Sequence, residues 1–217
     1  MDMILSSQGF YGKAKDVIGE KVEELVSLKN GYIDNVVIIT TAMKTYLFSE
    51  RYIKYYAKNV AEVFNIHPYC IDIIDISKQF NPSKIVCADI VVVLGGNTYY
   101  LAKYMQQKSL YSILKNKKDG IYCGDSAGAI IAGVTIDTAP LTSHLGIADL
   151  NIYGVRDKVG MEIVPFSFWP DYNIDDTTKM ENRLKNEDKF KNLFKIGVDE
   201  AYYFFGDNNL RFQKLGG

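Results

Sequence analysis

The stretch Ile90-Val91-Val92-Val93-Leu94-Gly95-Gly96-Asn97-Thr98 decides how this chain folds. An unbroken apolar run rich in β-branched residues suits a strand covered on both faces, as in a parallel sheet flanked by helices. The run stops at two glycines and an asparagine, residues that favour turns. Helical spacing then starts near Thr98 and carries Leu101, Tyr104 and Met105. The order strand, short loop, helix is half of a βαβ unit.

The same alternation extends outward. Met3-Ile4-Leu5, Val36-Val37-Ile38-Ile39 and Ile71 to Ile76 read as strands. Between them, Lys13 to Leu28 places Val17, Ile18, Val22, Leu25 and Val26 at helical spacing, and Leu47 to Phe64 does so with Tyr52, Ile53, Tyr56, Val60 and Val63. Right-handed crossovers between such strands predict a three-layer α/β/α sandwich with a mainly parallel sheet. No internal repeat or low-complexity segment interrupts it. Ala139 to Gly160 is the least periodic region and is expected to form a long loop around the active site. Asp175 to Asp188 is polar and reads as helical. Tyr202 to Phe205 and Leu210 to Gln213 flank Gly206-Asp207-Asn208-Asn209, the pattern of a hairpin.

Composition narrows the function. With 217 residues and 24.5 kDa, residues 1–217 are expected to form a single domain with a full core. Lys+Arg total 25 against 26 Asp+Glu, a balance that argues against nucleic acid or a membrane surface as partner. Cys70, Cys87 and Cys123 are dispersed without CxxC spacing, which fits free thiols in a reducing compartment. The only histidines are His67 and His144, so a three-histidine metal site is impossible. The first residues lack the basic and apolar regions of a signal peptide, and no apolar run is long enough to span a bilayer. The cytoplasm is the expected location. The motifs fix no oligomeric state.

The chemistry centres on Gly124-Asp125-Ser126-Ala127-Gly128. It matches the G-x-S-x-G nucleophile elbow and lies, as that motif demands, between a strand (Ile121-Tyr122-Cys123) and a helix (Ala127 to Ala132). Such an elbow holds the serine on a strained turn, lifts its hydroxyl clear of the sheet, and aims helix amides at a developing oxyanion. The plain alternative is an ordinary Gly-rich turn. Leu94-Gly95-Gly96-Asn97-Thr98 would lie beside it, because ligands in open parallel sheets bind outside the carboxyl ends of strands.

LGGNTYYLAKYM (residues 94–105) followed by YCGDSAGAIIAG (residues 122–133) resembles the peptidase E family, serine peptidases that include aspartyl dipeptidase and cyanophycinase. Met3-Ile4-Leu5-Ser6-Ser7 is similar to that family's first strand, and Val164-Pro165-Phe166 to its strand before the catalytic histidine. Ile196-Gly197-Val198-Asp199-Glu200 is similar to the stretch ending in its acidic residue. The resemblance implies a flavodoxin-like or class I glutamine-amidotransferase-like sandwich and the catalytic order serine, histidine, glutamate. It makes Ser126 the nucleophile, Glu200 the acidic orienter, and the Gly96 and Ala127 amides the oxyanion hole. It implies a small peptide or peptide-like substrate, with no cofactor and no metal.

One position departs from the pattern. The family's histidine belongs after Pro170, where this chain reads Trp169-Pro170-Asp171-Tyr172-Asn173. A serine hydroxyl needs a base titrating near the working pH, and an unperturbed aspartate at ~3.9 is a poor one. Three arrangements are compatible with this. Asp171 belongs to a degenerate site that binds but hardly turns over, His144 swings in as a surrogate base, or the register is displaced, although no histidine follows His144. The plain reading of His144 is a loop residue without a catalytic role, and that of Glu200 a solvated carboxylate. His67, before Pro68, reads as a helix C-terminal cap or surface residue. Asp125 carries no assigned role. Trp169 and the tyrosines read mainly as core or interface.

Ser6-Ser7-Gln8-Gly9-Phe10-Tyr11-Gly12-Lys13 also follows a strand and precedes a helix, but it fails the phosphate-loop spacing, with Ala14 where Ser or Thr is required. A flavin- or nucleotide-binding module is therefore a weaker alternative. The leading expectation is a serine peptidase acting on small peptides, weakened by Asp171. The runner-up is a degenerate relative that binds a peptide or metabolite.

Overall fold

A computed structural model describes residues 1–10, 12–28, 31–47, 49–141, 143–144, 147–172, 190, 192–206 and 211–216, with backbone only at 143–144 and 147–148. Its central element is a seven-stranded sheet. Five strands run parallel: β1 (Asp2–Ser6), β2 (Val36–Ile39), β3 (Ile71–Ile74), β4 (Ile90–Val93) and β5 (Ile121–Asp125). Their spatial order is β3-β2-β4-β5-β1. Beyond β1 the sheet continues antiparallel through β10 (Ala201–Phe204) and β11 (Phe212–Lys214).

The apolar strands bury both faces because successive side chains point to opposite sides. Met3, Leu5, Val37, Ile39, Val91 and Val93 enter one core with α3 (Ser83–Cys87), α4 (Thr98–Gln107), α5 (Leu110–Asn116) and α6 (Ala127–Ala132). Ile4, Val36, Ile38, Ile90, Val92 and Cys123 enter the other with α1 (Ala14–Leu28) and α2 (Ser49–Val63). The three-layer sandwich follows. Among the described residues no helix is long and apolar enough to cross a membrane.

Several local expectations shift. The strand expected over Ile71 to Ile76 ends at Ile74, because the Asp75 carboxylate accepts from the Ser77 amide at 3.0 Å and the Thr41 hydroxyl at 3.1 Å, turning the chain. His67 caps the start of a 3₁₀ turn, Pro68–Cys70, rather than the end of a helix, its Nδ1 accepting from the Tyr69 amide at 3.3 Å. The strand assigned to Val164-Pro165-Phe166 lies later, at β8 (Ser167–Tyr172), which pairs in parallel with β9 (Leu193–Gly197) as a separate ribbon. Phe168 and Phe194 dock that ribbon on the main sheet, their rings 5.6 and 5.4 Å from Phe204. The 139–160 region is mostly irregular in its described part, with a 3₁₀ turn at Ala139–Leu141 and a short hairpin of β6 (Ser143–His144) and β7 (Ile147–Ala148). The C-terminal hairpin is present as β10 and β11 in register Phe204 to Phe212; the helix expected over 175–188 and the hairpin turn at 207–210 lie outside the described residues.

Candidate active site

The carboxyl ends of β1, β4 and β5 converge where the sheet's crossovers reverse direction, the usual place for a ligand in such sheets. Ser126 occupies the junction of β5 and α6 with φ 48 and ψ −103. An L-residue held there costs about 1–3 kcal/mol and persists only when its surroundings over-determine it. Here they do. The Ser126 amide donates to the Ser6 carbonyl at 2.9 Å, and its own carbonyl accepts from Ala129 and Ile130 at 2.9 and 3.0 Å. A Cβ on Gly128 would lie 2.3 Å from the Val93 carbonyl oxygen, so only glycine lets the start of α6 press against β4. Ser126 is half-buried while Ala127 is fully buried.

The Gly-Gly-Asn-Thr loop lies against this serine. A Cβ at Gly95 would stand 3.1 Å from Ser126 Cβ and 3.7 Å from its Oγ. Gly96 has φ +131, and a side chain there would run into the Ala42 carbonyl at 2.3 Å. Asn97 caps α4, its Oδ1 accepting from the Tyr100 amide at 2.9 Å. The Ala127 amide stands at the first position of α6, one of the N–H groups that a helix leaves without an intrahelical partner.

Asp171 comes to the same region by a bulge. β8 and β9 pair Trp169 with Lys195 and then Tyr172 with Gly197, so β8 carries one extra residue between those pairs. Pro170 brings no N–H to the ladder, and Asp171 adopts φ +56. Bulges of this kind re-aim a side chain beside functional sites. The Asp171 amide donates to Ser7 Oγ at 2.8 Å, and the Ser7 hydroxyl donates back to Asp171 Oδ1.

Glu200 reaches the same strand end by its backbone, its carbonyl accepting from the Ser7 amide at 3.3 Å. Its carboxylate is engaged elsewhere: it accepts from the Gly197 amide at 2.8 Å and the Tyr202 hydroxyl at 3.2 Å, and it pairs with Lys214. Burial alone would raise this carboxyl, but the Lys214 ammonium and the Gly197 amide outweigh it and hold the group below its ordinary range. Ser7 thus joins Asp171 and the Glu200 backbone to the end of β1, where the neighbouring Ser6 carbonyl holds the Ser126 amide, while no hydrogen bond joins the two carboxylates among the described residues. For His144 only the backbone pairing with Ile147 is described.

Sequence reasoning overlooked Asp125, the x of the elbow. It is 2% exposed, and its Oδ1 accepts from the Gly9 amide at 2.8 Å and the Ser6 hydroxyl at 3.1 Å. Burial pushes this carboxyl up to about 7 against those two hydrogen bonds, and the Asp171 charge adds to the rise. The available signal was an acidic residue closing the otherwise buried strand Ile121–Asp125. Asp149 and Tyr46 were overlooked too. Asp149 Oδ2 accepts from the Thr98 amide at 2.7 Å, and burial raises its carboxyl. Tyr46 is pushed up to about 12 by burial and then by the charges of Asp149 and Asp171, which places it within the field of both.

In the described part of the loop after β1, two amides already have carboxylate partners. The Gly9 amide faces Asp125 and the Lys13 amide faces Asp199 Oδ1 at 3.4 Å, so the chain's own carboxylates take donors that a phosphate would need.

Known proteins share this architecture. The fold matches a peptidase E candidate from Listeria monocytogenes EGD-e with a TM-score of 0.67 at 17% identity, covering 99% of this chain and 98% of that one. It also matches a peptidase from an acI-B1 Actinobacterium with a TM-score of 0.65 at 16% identity, covering 100% and 95%. In sequence, Peptidase E of Salmonella typhi is 34% identical and that of Salmonella heidelberg (strain SL476) 33% identical, each over 113 residues. Those alignments take in 51% of this chain and 47% of either relative, so the match spans about half the length of the curated relatives. The profile that defines peptidase family S51 runs from residue 3 to residue 201, through the elbow, the Gly-Gly-Asn-Thr loop and the Asp171 bulge alike, and on that match the chain belongs to peptidase family S51.

Proposed function

We propose that the protein is a serine-type hydrolase of small peptides in which Ser126 attacks the scissile carbonyl. The observation that carries this reading is the strained Ser126 turn, φ 48 and ψ −103, braced by Ser6 and packed against Gly95. Attack forms an acyl-enzyme that water then releases. The Gly96 and Ala127 amides serve as oxyanion donors, the contribution that is often the largest in such sites. Asp171 stands in the histidine's place as proton acceptor and Glu200 in the orienter's. With a carboxylate in place of imidazole, turnover near neutral pH is weak.

The Glu200–Lys214 pair favours a second reading, a relative that binds a peptide or metabolite without turning it over, because the orienting carboxylate already has a cation. One experiment separates the two. Hydrolysis of a dipeptide panel, Asp-X included, is followed for the wild type and Ser126→Ala. The hydrolase reading expects turnover that falls at least ~10³-fold in the variant. Binding of the same peptides with no Ser126-dependent turnover establishes the second reading instead.

A further inference from the structure

We propose that Ser7, at the carboxyl end of β1, is a positioning residue for acyl transfer, clamping Asp171 where it accepts the Ser126 proton. The inference rests on the hydrolase reading above. Ser7 is 2% exposed, and its hydroxyl touches Asp171 at both ends, donating to Oδ1 and accepting from the amide at 2.8 Å. Asp171 needs such a clamp. It sits on a bulge, after a proline, at φ +56, so the β8–β9 ladder does not fix it.

Adjacent residues of one strand end hold the two reacting groups. The Ser6 carbonyl binds the Ser126 amide at 2.9 Å, and the Ser7 hydroxyl binds Asp171. β1 thereby ties the backbone of the nucleophile and the carboxylate of the acceptor to neighbouring residues. Behind them Asp125 pins Ser6 and Gly9. The serine pair that fails as a phosphate loop acts here as a jig.

Because Ser7 occupies Oδ1, Oδ2 is the oxygen that takes the proton. The Ser126 O–H bond breaks and its proton moves to Asp171 Oδ2. Ser126 Oγ forms a bond to the substrate carbonyl carbon, and the π pair moves onto the carbonyl oxygen. When the tetrahedral intermediate collapses, the C–N bond breaks and the proton passes from Oδ2 to the leaving amine. Misplacing the acceptor by about 1 Å is enough to slow such a step ~10²-fold.

The test measures Ser126 acylation by a fluorophosphonate, with kcat and KM on dipeptides, for wild type, Ser7→Ala, Asp171→Asn and the double variant. The Ser7 backbone bond to Glu200 survives Ser7→Ala, so the substitution removes only the clamp. Ser7→Cys, nearly isosteric but a weak hydrogen-bond donor, gives the same readout without a cavity. The expected result is acylation slowed about 10- to 100-fold in either Ser7 variant, carried by kcat with KM nearly unchanged, and no further loss when the Ser7 change is added to Asp171→Asn. Wild-type acylation rates in both Ser7 variants, or losses that multiply in the double variant, overturn the proposal. Labelling that persists in Ser126→Ala overturns the hydrolase reading itself, a different outcome.

Discussion

The Ser126 elbow lies among central strands whose backbones touch its own, whereas Asp171 hangs from the two-stranded β8–β9 ribbon and Glu200 from the loop before β10. Around Ser126 the contacts are main chain on main chain: Gly128 on Val93, the serine amide on Ser6. Around Asp171 and Glu200 side chains take a larger share, a serine hydroxyl, a lysine and a tyrosine, beside backbone bonds from the Ser7 and Gly197 amides. Backbone approaches tolerate almost no substitution, while side-chain partners are exchanged one at a time. Glycine geometry thus dictates one half of the candidate site, and side chains dictate more of the other.

Restoring the imidazole tests that contrast most strongly. Asp171→His is expected to raise kcat/KM on short peptides by about 10²- to 10⁴-fold near neutral pH, the usual worth of general acid-base catalysis. The gain should vanish when Ser126→Ala is added. An unchanged rate in Asp171→His would break the idea that the missing base limits an otherwise complete elbow.

Asp125 offers the next largest effect, in stability. Its carboxyl is raised from 3.8 to about 7 in the folded chain. The favourable contribution of the protonated form is complete below the unfolded value near 3.8, and it is lost as pH rises through about 7. Asp125→Asn retains an acceptor for Gly9 and Ser6 but carries no charge. It should stabilise the fold by up to ~4 kcal/mol at pH 8, with the gain shrinking toward pH 4. Chemical denaturation at pH 4, 6 and 8 measures it. A gain that does not depend on pH would show that the burial of charge at the elbow is not what holds stability down.

The smallest effect belongs to Lys214. Glu200 is held below its ordinary range, so this pair stabilises above the normal carboxylate pKa and fades as pH falls through the lowered folded value. Lys214→Ala should cost less than about 1 kcal/mol at pH 7, as for other partly exposed pairs, and progressively less as the pH falls through the acid range. In an Asp171→His background it should sharpen the comparison by freeing Glu200 to orient the new ring, visible as a further rise in kcat. A loss of several kcal/mol would mean that this rim is as rigid as the elbow.

Periodicity and two glycine motifs were enough to read the sandwich, the parallel strands and the strand-to-helix turn at Ser126. Those features depend on local rules: β-branched runs need cover on both faces, and a close strand-helix turn needs glycine at positions 124 and 128. The resemblance sets Asp171, after Pro170, where the family's histidine is expected, and the Asp171→His comparison tests that assignment. Tertiary structure alone decided the partners. Nothing in the chain order links Ser7 to Asp171 across 164 positions, Ser6 to Asp125 across 119, or Lys214 to Glu200. Those pairs arise where β1, β5, β8 and β11 end and β10 begins. The rise at Asp125 comes from burial, which removes water from a carboxylate only once the strands around it have closed.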